Sequence, residues 1–168
     1  MRKQKGFSLI ELLIVVAIIL IIAAIAIPNL LRARIAANES SAASAIRTLN
    51  TAEVSYSTSF PSTGYTLTLA DLGPGSTGSC PSVGPASNNA CLIDSTLAGA
   101  ATTAKSGYKF GLSGTAATPQ LQYVSGAAPA VFNQTGVRNF CSIEDGVVKF
   151  LTPGNTTVPT SCSGYTPL

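Results

Sequence analysis

The chain has 168 residues, enough for one modest globular domain and a long helix. Only 10% of its residues are charged and its net charge is +3, but three of its ten basic residues lie within the first five positions. Without Arg2, Lys3 and Lys5 the chain has seven basic and seven acidic side chains. It then has no excess of positive charge for a phosphate backbone, so we expect no nucleic-acid partner.

The longest apolar stretch lies between Gly6 and Leu31, and Glu11 is its single charged residue. Residues 12–27 have no polar side chain, and twelve of these sixteen are Leu, Ile or Val. Such a run favours the bilayer by roughly 5 kcal/mol, whereas a carboxylate costs about 3 kcal/mol at the bilayer centre and less near an edge. About twenty residues form a helix about 30 Å long, so we predict that this stretch crosses a membrane.

Glu11 requires a partner inside a membrane, and the residues before it indicate which one. Cleavage after Gly6 would remove the basic leader and make Phe7 the first residue, with an α-amine that is cationic near neutral pH. That amine would lie one helical turn from Glu11 of the same chain and within reach of Glu11 on a neighbouring copy. Cleavage is therefore expected to create the positive charge that this carboxylate lacks.

Residues 5–11, Lys-Gly-Phe-Ser-Leu-Ile-Glu, resemble the processing motif of type IV pilins and type II secretion pseudopilins. The resemblance consists of a short basic leader, Gly6 before the cut, Phe7 after it, Glu11 four residues later and then a long apolar helix. It implies that a prepilin peptidase cuts between Gly6 and Phe7 and N-methylates Phe7. It also implies that Glu11 helps to dock each subunit by pairing with the Phe7 amine of another.

The function that this resemblance implies is that of a structural subunit of a type IV pilus. The subunit would be a single-pass protein of the inner membrane before assembly, and part of an extracellular homopolymer after an inner-membrane assembly platform has extracted it. A type II secretion pseudopilin and a minor pilin share the motif and remain alternatives. An alternative from another functional class, a binding protein rather than a filament subunit, is a monomeric, membrane-anchored adhesin that keeps residues 1–6.

Two simpler interpretations of the leader explain less of the sequence. A secretory signal has an apolar core of roughly 7–15 residues and a small-residue cleavage site, whereas this run is longer and has Glu11 almost at its start. A signal-anchor agrees with the basic leader on the inner side. It does not account for Gly6, Phe7 and Glu11 at their particular spacing.

The helical pattern continues beyond the membrane stretch. Pro28 matches a helix-breaking proline found at this depth in many pilins, and it is expected to bend the helix or melt it locally near residues 24–28. Arg32 and Arg34 are predicted to be interfacial anchors, with an ionic contact to Glu39 or Glu53 of a neighbouring copy as the alternative. One apolar stripe follows helical spacing through Ile35, Ala42, Ile46, Leu49, Ala52 and Tyr56.

Gly, Pro, Ser and Thr become frequent after Phe60, which indicates a change from helix to a loop-rich β domain. Short strands are predicted at 65–69, 108–112, 120–123, 137–143 and 147–151, the last two joined by Glu144-Asp145-Gly146 as a hairpin turn. The expected class is α+β and type IV pilin-like: a long N-terminal helix on an antiparallel sheet of about four strands. The predicted divisions are a leader (1–6), a transmembrane and assembly helix (7–31), an amphipathic half-helix (32–57) and a globular domain (58–168).

Four cysteines lie beyond the membrane stretch, where oxidation is possible, and they permit three pairings. We favour the pairing that is local in sequence, Cys80 with Cys91 and Cys141 with Cys162. The first disulfide would close a Gly/Pro-rich loop, and the second would fasten residues 152–168 to the sheet. The second also resembles the disulfide that bounds the C-terminal loop of type IV pilins.

The sequence contains no set of residues that indicates an enzyme. It has no His to act as a base, and no Ser lies in a Gly-x-Ser-x-Gly motif. It also has no Cys-x-x-Cys pair and no calcium-loop spacing. Glu144 and Asp145 are adjacent acids that are expected to be solvated in a turn. We therefore predict no catalytic residue, no metal site and no cofactor.

Overall fold

The computed structural model describes residues 7–75, 79–80 and 84–168. It divides into two compact units, with the boundary between Arg34 and Ile35. A single helix, α1 (Leu9–Ser59), contributes its first part to one unit and its second part to the other. The leader, residues 1–6, lies outside the described residues, and it includes Gly6 of the predicted cleavage site.

Helix α1 ends at Ser59, two residues beyond the predicted boundary. The backbone amide of Phe60 still bonds to the Tyr56 carbonyl oxygen at 2.8 Å, but Pro61 follows, and a residue before proline is disfavoured in helical conformation. Residues 24–28 are helical and Pro28 lies inside α1, so the expected local melting is wrong. The bend at Pro28 remains a prediction.

The second unit contains a five-stranded sheet in which every neighbouring pair is antiparallel. The strands follow the chain order without a crossover, which makes the sheet a simple meander. The predicted α+β class is therefore confirmed, with one strand more than expected. The strands are β1 (Tyr108–Ser113), β2 (Val124–Pro129), β3 (Asn139–Ile143), β4 (Lys149–Leu151) and β5 (Thr166–Pro167).

One face of this sheet forms the hydrophobic core together with the second part of α1. Phe110 is opposite Ala127 in the strand register, Ala127 is opposite Phe140, and all three side chains are buried. Because side chains alternate between the two faces of a strand, these residues share the face that meets the helix. The helix contributes Ile46 and Leu49, both fully buried, with buried alanines before and after them along the helix.

The other face of the sheet is partly covered by the C-terminal tail. Gly126 and Cys141 are register partners on this face. A Cβ atom on Gly126 would lie 2.4 Å from the Pro159 carbonyl oxygen, so only glycine allows the tail to cross there. The tail then ends as β5, which pairs with β4.

Two predicted strands are wrong. Residues 65–69 form no strand, because Tyr65 donates its amide to the Gln120 carbonyl oxygen in an isolated bridge rather than a ladder. Residues 120–123 lie just before β2 rather than in it. Two four-residue helices in this region were not expected, α2 (Leu69–Leu72) and α3 (Ser95–Ala98).

Candidate assembly site

The first turn of α1 is closed by a carboxylate of the same helix. Ser8 stands before the first helical residue, and its carbonyl oxygen accepts the Leu12 amide at 3.3 Å. Glu11 Oε2 accepts the Ser8 backbone amide at 3.0 Å. This is one half of a capping box, in which an acid at the third helical position satisfies an amide that the helix leaves unpaired. The Ser-x-x-Glu spacing was a signal for Ser8 that the sequence reasoning did not use.

Glu11 retains capacity for a second partner. Within the described part of the chain its other oxygen, Oε1, has no hydrogen-bond partner, and the side chain is exposed. The residue also stands where the helix dipole presents partial positive charge, which favours a carboxylate. Phe7 is 80% exposed at the start of the described chain. The site therefore combines a capped, exposed acid with the residue that the predicted cut would make N-terminal.

The helix beyond Glu11 presents apolar side chains with nothing packed on them. α1 is long and apolar enough to cross a membrane, and none of its most apolar window is buried. Isolated exposed leucines are ordinary on a soluble protein, but a continuous apolar surface marks a membrane or protein contact. The exposed large residues are Leu9, Ile10, Leu12, Leu13, Ile14, Val15, Val16, Ile18, Ile19, Leu20, Ile21, Ile22, Ile25, Ile27, Leu30 and Leu31.

In the second unit, Glu39 is occupied within its own chain. Its Oε1 accepts the Val137 amide at 2.9 Å, and its Oε2 pairs with Arg138 Nε at 2.9 Å. The residue is only 5% exposed. Asn38 adds a bond from its amide nitrogen to the Thr135 carbonyl oxygen at 3.0 Å. Glu39 thus links α1 to the segment before β3, and its two carboxylate oxygens are not available to an arginine of another copy.

Glu53 is buried more deeply than Glu39 and has no ion pair with any described residue. It is 0% exposed, its Oε2 accepts the Thr66 amide at 3.0 Å, and its Oε1 is buried without a partner among the described residues. Burial raises its pKa to about 8, the Thr66 hydrogen bond opposes this rise in part, and the charge of Asp71 adds a smaller rise. Glu53 is therefore mostly protonated at neutral pH, and the proposed contact of Arg32 or Arg34 with Glu53 is also wrong.

A buried polar network fixes α1 against the sheet. Asn50 donates to Ser142 Oγ at 2.8 Å and to the Gly146 carbonyl oxygen at 3.3 Å, while its own oxygen accepts from Ser125 Oγ at 3.1 Å and from Tyr123 Oη at 3.3 Å. Such a network, once satisfied, allows one register of helix on sheet. Asn50 is not part of the apolar stripe in the sequence, and its partners lie far away in the chain, so no local pattern indicates this network.

Both disulfides are present, and both follow the sequence-local pairing. Cys80 is bonded to Cys91 across eleven positions, and Cys141 is bonded to Cys162 across twenty-one. Cys80 is exposed, whereas Cys141 is 0% exposed on the tail-covered face of the sheet. Among the described residues no group of three or more His, Cys, Asp or Glu side chains is placed to hold a metal ion.

The geometry of the first turn agrees with the comparisons to known proteins. Residues 1–27 match the family described as the prokaryotic N-terminal methylation motif. Over 39 residues the chain is 69% identical to the type IV wide pilus major component PilA4 of Thermus thermophilus. Over 54 residues it is 48% identical to the type IV major pilin protein PilA of Myxococcus xanthus. No solved structure matches the chain.

These matches are confined to a minor part of each protein. They cover 23% and 32% of this chain, and 30% and 24% of the two relatives. Both relatives are structural pilins by name and not enzymes. The resemblance to type IV pilins is confirmed over the N-terminal region, and with a helix long and apolar enough to cross a membrane it supports a location first in the inner membrane and then in an extracellular pilus.

Proposed function

We propose that this chain is a structural subunit of a type IV pilus, processed by a prepilin peptidase and polymerised through the first part of α1. One observation carries the proposal. An uninterrupted apolar helix surface begins with a single acid, Glu11, whose Oε2 caps its own helix and whose Oε1 has no partner within the described residues. The similarity to the methylation motif and to two type IV pilins supports the same reading.

The exposed helix gives the subunit two successive environments. Before assembly, the side chains of residues 9–31 are in contact with lipid, which accepts a helix whose backbone hydrogen bonds are satisfied internally. In a filament, the same side chains contact the helices of other copies. Lipid and the neighbouring helices are similarly apolar. Transfer of the helix from one to the other therefore depends on how closely the helices pack and on whether the Glu11 charge finds a partner.

Processing supplies the partner for that charge. Hydrolysis of the peptide bond between Gly6 and Phe7 releases the leader and leaves a new α-amine on Phe7, which is protonated near neutral pH. N-methylation then transfers a methyl group from an electrophilic methyl donor to the neutral amine, a hydrogen leaves as a proton, and the product amine remains basic. Glu11 Oε1 of a neighbouring copy then accepts from this ammonium group, while Oε2 keeps its bond to Ser8. A buried ion pair is tolerated when its partners are also hydrogen-bonded in this way.

The remaining alternatives differ in where the protein accumulates. A type II secretion pseudopilin shares the leader motif, but a disulfide that closes the C-terminal tail, Cys141 with Cys162, favours a pilin. A minor pilin would be scarce in surface filaments, and a membrane-anchored adhesin would retain residues 1–6. The expected partners of the pilin are further copies of itself, the prepilin peptidase and the inner-membrane assembly platform.

Cell fractionation tests the proposal. The full chain is expressed in a piliated host and in a matched host that lacks prepilin peptidase, and the sheared surface material is compared with the membranes. We expect the protein to be a major component of sheared filaments in the first host and to stay in the membranes of the second. A protein that is found only in membranes of both hosts would contradict the proposal.

A further inference from the structure

Three ion pairs use six of the eleven charged side chains in residues 35–168: Arg138 with Glu39 at 2.9 Å, Lys149 with Asp145 at 2.7 Å and Lys105 with Asp94 at 3.8 Å. Among the exposed charged side chains that the structure describes in residues 35–168, two have no ion pair. These two are Arg47 and Glu144, one base and one acid.

Arg47 lies on the exposed side of α1, between two surface depressions. It borders one of about 370 Å³ together with Ser40 and Leu168, and another of about 420 Å³ together with Val54. Val54 is 53% exposed and Leu168 is 55% exposed. An unpaired cation is therefore flanked by exposed apolar side chains, a combination typical of protein contact surfaces.

Glu144 lies in the turn between β3 and β4, at the border of a separate depression of about 470 Å³. This depression is also lined by Ser113, Gln122 and Thr160. Ser113 Oγ is buried there and has no hydrogen-bond partner within the described residues. The depression thus offers the Glu144 carboxylate beside polar side chains on one concave surface. It is suited to a donor with several N–H groups, and a guanidinium has five in a planar arrangement.

We infer that Arg47 of one copy inserts into the Glu144 depression of the next copy along the filament. The two surfaces carry opposite charge and lie on different elements, α1 and the β3–β4 turn, and Gly146 of that turn also borders the depression beside Arg47. In a filament the contact is heterologous, and a heterologous contact whose rotation does not close can repeat from subunit to subunit. The inference rests on the proposed function, because it names the surface through which the globular domains of a filament meet.

A charge-swap experiment tests the contact. Full-length Arg47→Glu, Glu144→Arg and the double variant are expressed in a piliated host, and sheared filaments are quantified. We expect each single variant to reduce the filament yield roughly tenfold or more, because like charges then face each other across the interface. The double variant restores the opposite-charge pair and should recover most of the native yield. Lys109→Glu, a matched charge reversal at a partly buried position of β1, should leave the yield unchanged.

Three outcomes would overturn the inference. The first is a native filament yield from Arg47→Glu, and the second is failure of the double variant to recover that yield. The third is an equal loss of yield in Lys109→Glu, which would indicate a general effect of net charge. Recovery of Glu144→Arg by Arg32→Glu or Arg34→Glu instead would assign the contact to another arginine and reject Arg47. Disulfide content of each variant in the membrane fraction, measured by intact mass, reports whether it is folded. Absence of filaments from the native chain would instead reject the proposed function.

Discussion

Glu11 Oε2 and the backbone amide of Ser8 are joined by a hydrogen bond of 3.0 Å that closes the first turn of α1. Glu11 therefore has a structural role before it meets any amine, because it already accepts a hydrogen bond from a backbone N–H group that the helix leaves unpaired. Its side chain has two oxygens, so capping and pairing do not exclude each other. Loss of Glu11 should affect both roles, and the two can be separated by substitution.

Glu11→Ala removes the cap and the charge, and Glu11→Gln keeps an oxygen for the Ser8 amide while it removes the charge. Both variants should insert into the membrane and be processed, because the apolar helix and Gly6 are unchanged. Both should assemble poorly, since an unpaired ammonium buried in a filament costs about 3–5 kcal/mol. Filament yield after shearing is the measurement. Normal filaments from Glu11→Gln would show that the charge is not required, and failure of Glu11→Ala alone would assign the effect to the cap.

The cleavage site is predicted to depend on the size of residue 6. Gly6→Ala should allow partial cleavage, whereas Gly6→Leu should block it, because a bulky side chain next to the scissile bond obstructs access of a peptidase. Intact-mass measurement of the membrane fraction separates the cut and uncut forms. Complete cleavage of Gly6→Leu between residues 6 and 7 would contradict the assigned site.

Glu53 should make the globular domain less stable as pH rises. The unfolded chain releases this proton near pH 4.5, whereas the folded chain holds it up to about pH 8. Over that interval the folded state binds more protons than the unfolded state, so the free energy of unfolding falls with increasing pH, by a few kcal/mol in total. Glu53→Gln should remove this dependence and be the more stable form near pH 8.

Chemical denaturation of the purified full chain in detergent, between about pH 5 and about pH 9, measures this effect. Glu144→Gln is the matched control, because Glu144 is exposed and its substitution should leave the native pH profile unchanged. A native protein whose stability rises through this interval, or a Glu53→Gln variant that keeps the native slope, would show that Glu53 is ionised in the fold.

The two disulfides should differ in their resistance to reductant. Cys80 is exposed, whereas Cys141 is covered by the tail, so mild reduction of the folded protein should open Cys80–Cys91 first. Alkylation followed by peptide mass mapping identifies the opened pair. Paired Ser substitutions at Cys141 and Cys162 should cost about 3 kcal/mol of stability by releasing the tail. Simultaneous opening of both disulfides in the native state would contradict this ordering.

Local patterns of the sequence predicted much of this fold. The helix was evident from an apolar run followed by an alanine-rich stripe, and the β3–β4 hairpin was evident from Asp145-Gly146, where Gly146 adopts a positive φ of 70°. Strand β2, in contrast, has the sequence Val-Ser-Gly-Ala-Ala-Pro and shows no alternation of large and polar side chains. Small residues are needed in β2 because the helix packs closely on one of its faces and the C-terminal tail on the other. A local sequence pattern cannot indicate these two contacts.

The roles of the buried polar residues of α1 could not be predicted from the sequence for a related reason. Glu39 bonds to Val137, 98 positions away, and Asn50 bonds to Ser142, 92 positions away. On a helical wheel these side chains are ordinary polar residues beside an apolar stripe. Only the long-range packing of the sheet turns them into buried contacts. The capping bond of Glu11, by comparison, spans three positions and was available from the Ser-x-x-Glu spacing.

Processing at Gly6 is proposed to expose the Phe7 amine that pairs with Glu11 of a neighbouring copy. Intact-mass measurement of subunits from sheared filaments tests it most directly. The account predicts a chain that begins at Phe7, carries one added methyl group and contains two disulfides. Filaments built from subunits that still begin at Met1 would contradict it.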